Sequence, residues 1–166
     1  MRYLTLIPFF FYALISFSQQ FADKEDYLVD SLILEELSDN DKQLLDTCIR
    51  NFKKAKSEIA AGRALQKICE KMMHDDWIKY QFFQYDFLQN ISRDNLNEED
   101  TKELSRLLGN ALNNIGYYYK YTGKIDKAIE YYNNSLDIRK SINDSVGMGA
   151  SYTNTGMLYY NQGNVN

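Results

Sequence analysis

Leu112-Asn113-Asn114-Ile115-Gly116-Tyr117-Tyr118-Tyr119-Lys120-Tyr121-Thr122-Gly123 is echoed further on by Tyr152-Thr153-Asn154-Thr155-Gly156-Met157-Leu158-Tyr159-Tyr160-Asn161-Gln162-Gly163. Gly116 and Gly156 stand 40 residues apart, as do Gly123 and Gly163, Asn114 and Asn154, and Tyr119 and Tyr159. Four coincident spacings at one period mark an internal repeat. The residue types fit a hairpin of two helices. A glycine in mid-helix lets a neighbouring helix approach closely, and a second glycine seven residues on ends that helix in a tight left-handed turn. Tyr119 then packs against the returning helix, on which Ala128 is the small partner and Tyr132 the large one.

Outward from this stretch the chain reads as helix after helix. Leu104, Leu107, Leu108, Ala111, Leu112, Ile115 and Tyr119 fall at helical spacing. They follow Asn97-Glu98-Glu99-Asp100, where carboxylates favour the positive end of a helix dipole. A second helix over 125–141 carries Ala128, Ile129, Tyr132, Leu136 and Ile138, and Asn143-Asp144-Ser145 starts another that runs to Gly163. Upstream, Ser38-Asp39-Asn40-Asp41 caps a stripe of Leu44, Leu45, Cys48, Ile49 and Phe52. Ser57 caps a stripe of Ala61, Ala64, Leu65, Ile68, Cys69, Met72 and Met73. Asp75 or Asp76 caps a helix from Trp77 to Ile91 whose aromatic residues cover a broad arc, which predicts packing on both sides. No Val/Ile/Thr alternation with Asn-Gly turns appears, so no strands are expected.

The repeat resembles the tetratricopeptide repeat (TPR), with Leu112, Ile115-Gly116, Tyr119, Gly123, Ala128 and Tyr132 in the family's places, and Gly156, Tyr159 and Gly163 repeating them. Ser135 stands where Ala is usual, Lys140 where a terminating Pro is usual, and Thr155 replaces the second Leu. The 40-residue period exceeds the family's usual 34 and is similar to a long-helix variant of bacterial regulatory proteins. The resemblance implies an all-α fold of antiparallel helix hairpins stacked as a short right-handed solenoid. It also implies that the first helix of each repeat lines a peptide-binding groove. That groove would present Asn110, Asn113, Asn114, Tyr117, Lys120 and Tyr121, followed by Thr153, Asn154, Met157 and Tyr160. An Asn amide donates and accepts at once, which suits an extended peptide backbone, and Tyr adds contact area at small entropic cost.

The chain opens differently. Arg2 is its only charge before Asp23, Tyr3 to Ile15 is an apolar run, and Ser16 and Ser18 give a small-x-small cleavage pattern. Residues 1–18 therefore read as a signal peptide that exports the protein to the periplasm or medium. The expected organisation continues with a leader and short helix over 19–37 and a degenerate helical-repeat region over 38–96. The first repeat, with an extended first helix, takes 97–143, and an incomplete second repeat takes 144–166. That second repeat lacks its returning helix, so the chain reads as truncated, with self-association through the uncovered last helix. Export makes a disulfide between Cys48 and Cys69 one reading, and two small buried residues the other.

Composition narrows the chemistry. A net charge of −4 with no long basic block argues against nucleic acid, and 2 Cys with 1 His cannot furnish a Cys/His zinc site. No phosphate loop, nucleophile motif or paired-His metal motif is present. His74, five residues from Cys69, and the clusters Asp75/Asp76 and Glu98/Glu99/Asp100 are read as helix ends. The expectation is a non-catalytic scaffold binding a protein or peptide, with no catalytic residue, metal or small-molecule cofactor. The alternative comes from an exported leader, a helical stretch ending near Trp77-x-x-Tyr80 and then repeats of Ala111-Leu112-Asn113-Asn114-Ile115-Gly116 type, which together resemble the sensor region of TPR-containing histidine kinases and imply a truncated N-terminal sensory segment of a two-component signal-transduction protein.

Overall fold

The computed structural model describes residues 27–29, 32, 34–161 and 163. Residues 1–18, read as a signal peptide, and the start of the expected leader lie outside the described residues. Within the leader and short helix expected over 19–37, the described part includes helical Tyr27 and a 3₁₀ turn, Leu34–Glu36. Six α-helices follow: α1 (Asp39–Lys53), α2 (Glu58–Lys71), α3 (Trp77–Gln89), α4 (Glu98–Tyr121), α5 (Ile125–Ser141) and α6 (Ser145–Asn161). No strand occurs among the described residues.

Side chains set most of the starts. The Oγ of Ser38 accepts from the Asp41 N–H, the Oγ of Ser57 from the Ala60 N–H and the Oδ1 of Asn97 from the Asp100 N–H. The buried Asp41 carboxylate does more, accepting the Ser38 hydroxyl at 2.9 Å and the Met73 N–H at 2.9 Å, which ties the start of α1 to the end of α2. Asp76 does not cap α3: it occupies the N-cap position without a side-chain cap bond and pairs with Lys79 at 2.8 Å. Met73 also departs from expectation. Helix α2 stops at Lys71, so Met73 leaves the stripe and is 86% exposed.

The repeat ends as the glycines predict. Gly123 and Gly163 both sit at φ +74°. At the first, the Gly123 N–H reaches Lys120 O and the Lys124 N–H reaches Tyr119 O, the paired bonds of a Schellman stop. Helix α5 has the same stop with Asn143 at φ 55°, its N–H on Lys140 O and that of Asp144 on Arg139 O. Asn143 therefore ends α5 and does not begin α6, and this stop serves where Lys140 replaces the usual Pro. Asp144 then opens α6 by accepting the Gly147 N–H.

Each helix packs on the next, and α2 also meets α4 as α4 meets α6. The core is accordingly three clusters in series. Leu45, Ile49, Leu65, Ile68 and Tyr80 hold α1, α2 and α3 together; Ile59, Leu88, Leu104 and Leu107 join α2, α3 and α4; Ala128, Tyr132 and Leu158 join α5 and α6. Cys48 and Cys69 are both buried with free thiols in the first cluster. Nearest-neighbour packing of this kind is what a helical solenoid requires.

The two mid-helix glycines differ. A Cβ at Gly116 would lie 2.8 Å from the Tyr132 ring and 3.3 Å from Ala128 O, the close approach the sequence predicts. At Gly156 nothing stands within 4 Å, and Tyr159 is 42% exposed, so this second set does not pack as the first does.

Candidate functional site

Helix α4 packs against α2 on one side and α6 on the other, so the three helices share a face. A cleft of about 430 Å³ opens there, lined by Glu70 of α2, Asn110, Asn113 and Asn114 of α4, Arg139 of α5, and Gly147 and Ala150 of α6. All three asparagines are half-buried, and each already makes one hydrogen bond within the chain.

Those bonds fix which way the amides point. Gln84 of α3 is fully buried and bonds the Gly62 carbonyl at 3.1 Å. A carbonyl only accepts, so the Gln84 contact atom must be Nε2. Its Oε1 is then free to accept, and does so from Gln81 Nε2 at 2.8 Å. Gln81, buried as well, is left with Oε1, which accepts from Asn114 Nδ2 at 2.8 Å. One backbone carbonyl thus sets the polarity of three side-chain amides and leaves Asn114 Oδ1 as an acceptor clear of the relay. One turn earlier the sign reverses. Arg139 has only donors, and its Nη2 is 2.9 Å from Asn110 Oδ1, which leaves Asn110 Nδ2 as a donor.

Arg139 is held as firmly as the glutamines. It is 5% exposed and runs over Gly109 and Gly147; a Cβ at Gly147 would collide with its guanidinium, and one at Gly109 would press its stem at 3.2 Å. Burial lowers its pKa, and Asp144 at 3.8 Å works the other way. Its Nε donates to Ser135 Oγ at 3.0 Å. Ser135 gives its only proton to Gly109 O at 2.8 Å, so Ser151 must be the donor in the 3.2 Å Ser135–Ser151 contact. A serine in the alanine place of the repeat is therefore fully satisfied, and an arginine there has somewhere to bond.

The remaining predicted residues divide. Asn154 joins the asparagine set, its Nδ2 donating to Asn113 Oδ1 at 2.9 Å. Tyr117 and Tyr121 line a second cleft at the end of α4, and Lys120 lies 5.9 Å over the Tyr117 ring. Thr153, Met157 and Tyr160 are exposed on α6 and line neither cleft; Thr153 spends its hydroxyl on Gly149 O of its own helix. Gln81, Gln84 and Arg139 were not expected. Their one sequence signal is a polar pair three apart inside the aromatic arc of α3, and an arginine beside the apolar stripe of α5. Among the described residues, no three His, Cys, Asp or Glu side chains stand together as a metal site, and no helix is long and apolar enough to cross a membrane.

A tetratricopeptide repeat family model matches residues 107–165, which spans α5 and α6 with the second half of α4. No curated protein and no solved structure matches the chain. The family match and the all-helical fold support a TPR protein. Repeats of this family generally mediate protein–protein interaction and are typically non-catalytic scaffolds.

Proposed function

We propose that this protein is an exported, non-catalytic scaffold that takes an extended segment of a partner protein along α4, between α2 and α6. The observation that carries the reading is the pair Asn110 and Asn114. They stand one helical turn apart, with Cβ atoms about 5–6 Å from each other. One holds a free N–H and the other a free carbonyl oxygen, and buried partners lock both. An extended peptide presents its own C=O and N–H at comparable separation, so it meets a fixed donor and a fixed acceptor. Pre-orientation matters because amides that need not reorder on binding keep more of the hydrogen-bond energy.

The test begins with peptides selected from a displayed random library on the purified chain, titrated calorimetrically. Asn110→Ala and Asn114→Ala should each weaken a selected peptide by about tenfold, the equivalent of about 1.4 kcal/mol. Unchanged affinity in both variants would move the site elsewhere. Export is tested by N-terminal sequencing of protein made in a bacterial host. A mature start near Gln19 agrees with the reading, and an intact Met1 on cytoplasmic protein does not.

A further inference from the structure

The second cleft lies between the turn before α3 and the last turn of α4. Asp75, Trp77 and Ile78 form one wall; Tyr117, Tyr118, Tyr121 and Thr122 form the other, around a volume of about 510 Å³. The rings are presented rather than packed away: Tyr117 is 49% and Tyr121 82% exposed. Tyr118 is braced from behind by Phe82, ring edge to face at 6.2 Å.

Ring faces are electron-rich and attract cations, indole most strongly. This end of the molecule already pairs them that way. Lys120 sits over Tyr117 at 5.9 Å, and Lys124 and Lys127 sit over Tyr119 at 5.8 and 5.3 Å. The charges differ in how they are spent. Asp76 is taken by Lys79 at 2.8 Å, with His74 Nδ1 at 3.7 Å. The exposed Asp75 carboxylate has no ion-pair partner among the described residues, yet it lines the cleft. Lys120 is the opposing charge nearby and occupies one ring; Trp77, Tyr118 and Tyr121 have no cation over them among the described residues.

We propose that this cleft binds a basic side chain, Lys or Arg, of the peptide partner. The apolar stem would lie on Trp77 and Ile78, with the charged head between the tyrosine faces and Asp75. The proposal rests on the peptide-binding reading and adds to it. Asn114 and Tyr121 are seven residues apart on α4, or about 10 Å. That distance is spanned by about three residues of extended chain. The basic residue should therefore fall about three positions from the peptide bond that Asn114 reads.

Trp77 is the only tryptophan in the chain and lines this cleft, so its fluorescence reports on binding there. The probes are Nα-acetyl-arginine amide, Nα-acetyl-lysine amide and the neutral Nα-acetyl-norleucine amide. The two cations should change the Trp77 emission saturably, with the norleucine amide at least tenfold weaker. Asp75→Asn should weaken the cations at least threefold and leave norleucine amide where it was. Because Asp75 is exposed at a turn, folding of that variant is checked by circular dichroism, and Tyr121→Leu provides an independent loss of one ring face. Equal binding of all three probes, or no saturable change with any, overturns the proposal. The readout is a capped amino acid at Trp77, so such a failure removes the basic subsite while the groove stands or falls on Asn110 and Asn114.

Discussion

Gly116 and Gly156 occupy one register of the repeat, yet a methyl group at each should act with opposite sign. In a helix interior Gly→Ala gains about 0.8–1.0 kcal/mol from propensity. At Gly156 nothing lies within 4 Å of the new Cβ, so Gly156→Ala should stabilise by most of that amount. At Gly116 the Cβ would sit 2.8 Å from two ring carbons of Tyr132 and 3.3 Å from the Ala128 carbonyl oxygen. Tyr132 is fully buried and Ala128 O is backbone, so neither yields cheaply. Overpacking of this kind costs about 1–3 kcal/mol. Less the propensity gain, Gly116→Ala should destabilise by up to about 2 kcal/mol, and Gly116→Leu by more. The assay is urea denaturation followed by far-ultraviolet circular dichroism, comparing midpoints at unchanged slope. The midpoint should fall for Gly116→Ala and rise for Gly156→Ala. A shift of the same sign and size in both would refute the argument, because α5 would then not press on α4 at Gly116.

Three further outcomes follow from the packing. The Tyr132 hydroxyl is buried with no hydrogen-bond partner among the described residues, and burial pushes its pKa up to about 12. Tyr132→Phe should thus be neutral or stabilising by about 1 kcal/mol, and a loss above that in thermal denaturation would mean the hydroxyl is bonded. Asp41→Ala strips a partner from the Met73 N–H and should destabilise by about 2 kcal/mol, whereas a neutral effect would show that the α1–α2 tie is idle. Glu103 bonds Arg106 and Arg63, both at 2.7 Å, and these hold its pKa down at about 2 against an ordinary 4.5. A carboxylate with a depressed folded pKa stabilises above its unfolded value, and that contribution fades as pH falls from about 4.5 to 2. The arginine side chains are 43% and 55% exposed, so screening limits the effect to about 1 kcal/mol. Stability of wild type relative to Glu103→Gln should converge across that window, and a constant gap would contradict the pairing.

What could be read from the chain was local in origin. Ser38, Ser57 and Asn97 cap helices through bonds that span three residues, and Gly123 stops α4 through bonds within its own turn. Such interactions are written in neighbouring letters. The 40-residue recurrence told which helix would press on Gly116, because the pattern repeats the fold's unit. Asn110, Asn113, Asn114 and Asn154 could be placed together for the same reason. The orientation of the Asn110 and Asn114 amides could not. It depends on Gly62, Gln81 and Gln84 of the degenerate upstream hairpin and on Arg139 of the returning helix, 22 to 33 positions from the residues they bond. Nor could the aromatic cleft, since Trp77 and Tyr121 meet only through the packing of α3 on α4. Met73 misled because spacing alone continues a helix past the point where its backbone turns away.

Peptide recognition on α4 turns on whether Asn114 presents an acceptor of fixed polarity to a bound peptide backbone. The direct measurement replaces each peptide bond of a selected peptide with an ester in turn, removing one N–H at a time, and titrates the series against wild type and Asn114→Ala. At one position the ester should bind wild type about tenfold more weakly than the amide, and in Asn114→Ala that difference should vanish. If no ester position is weakened in wild type, or if the loss persists in Asn114→Ala, the amide relay from Gly62 through Gln84 and Gln81 does not set the site.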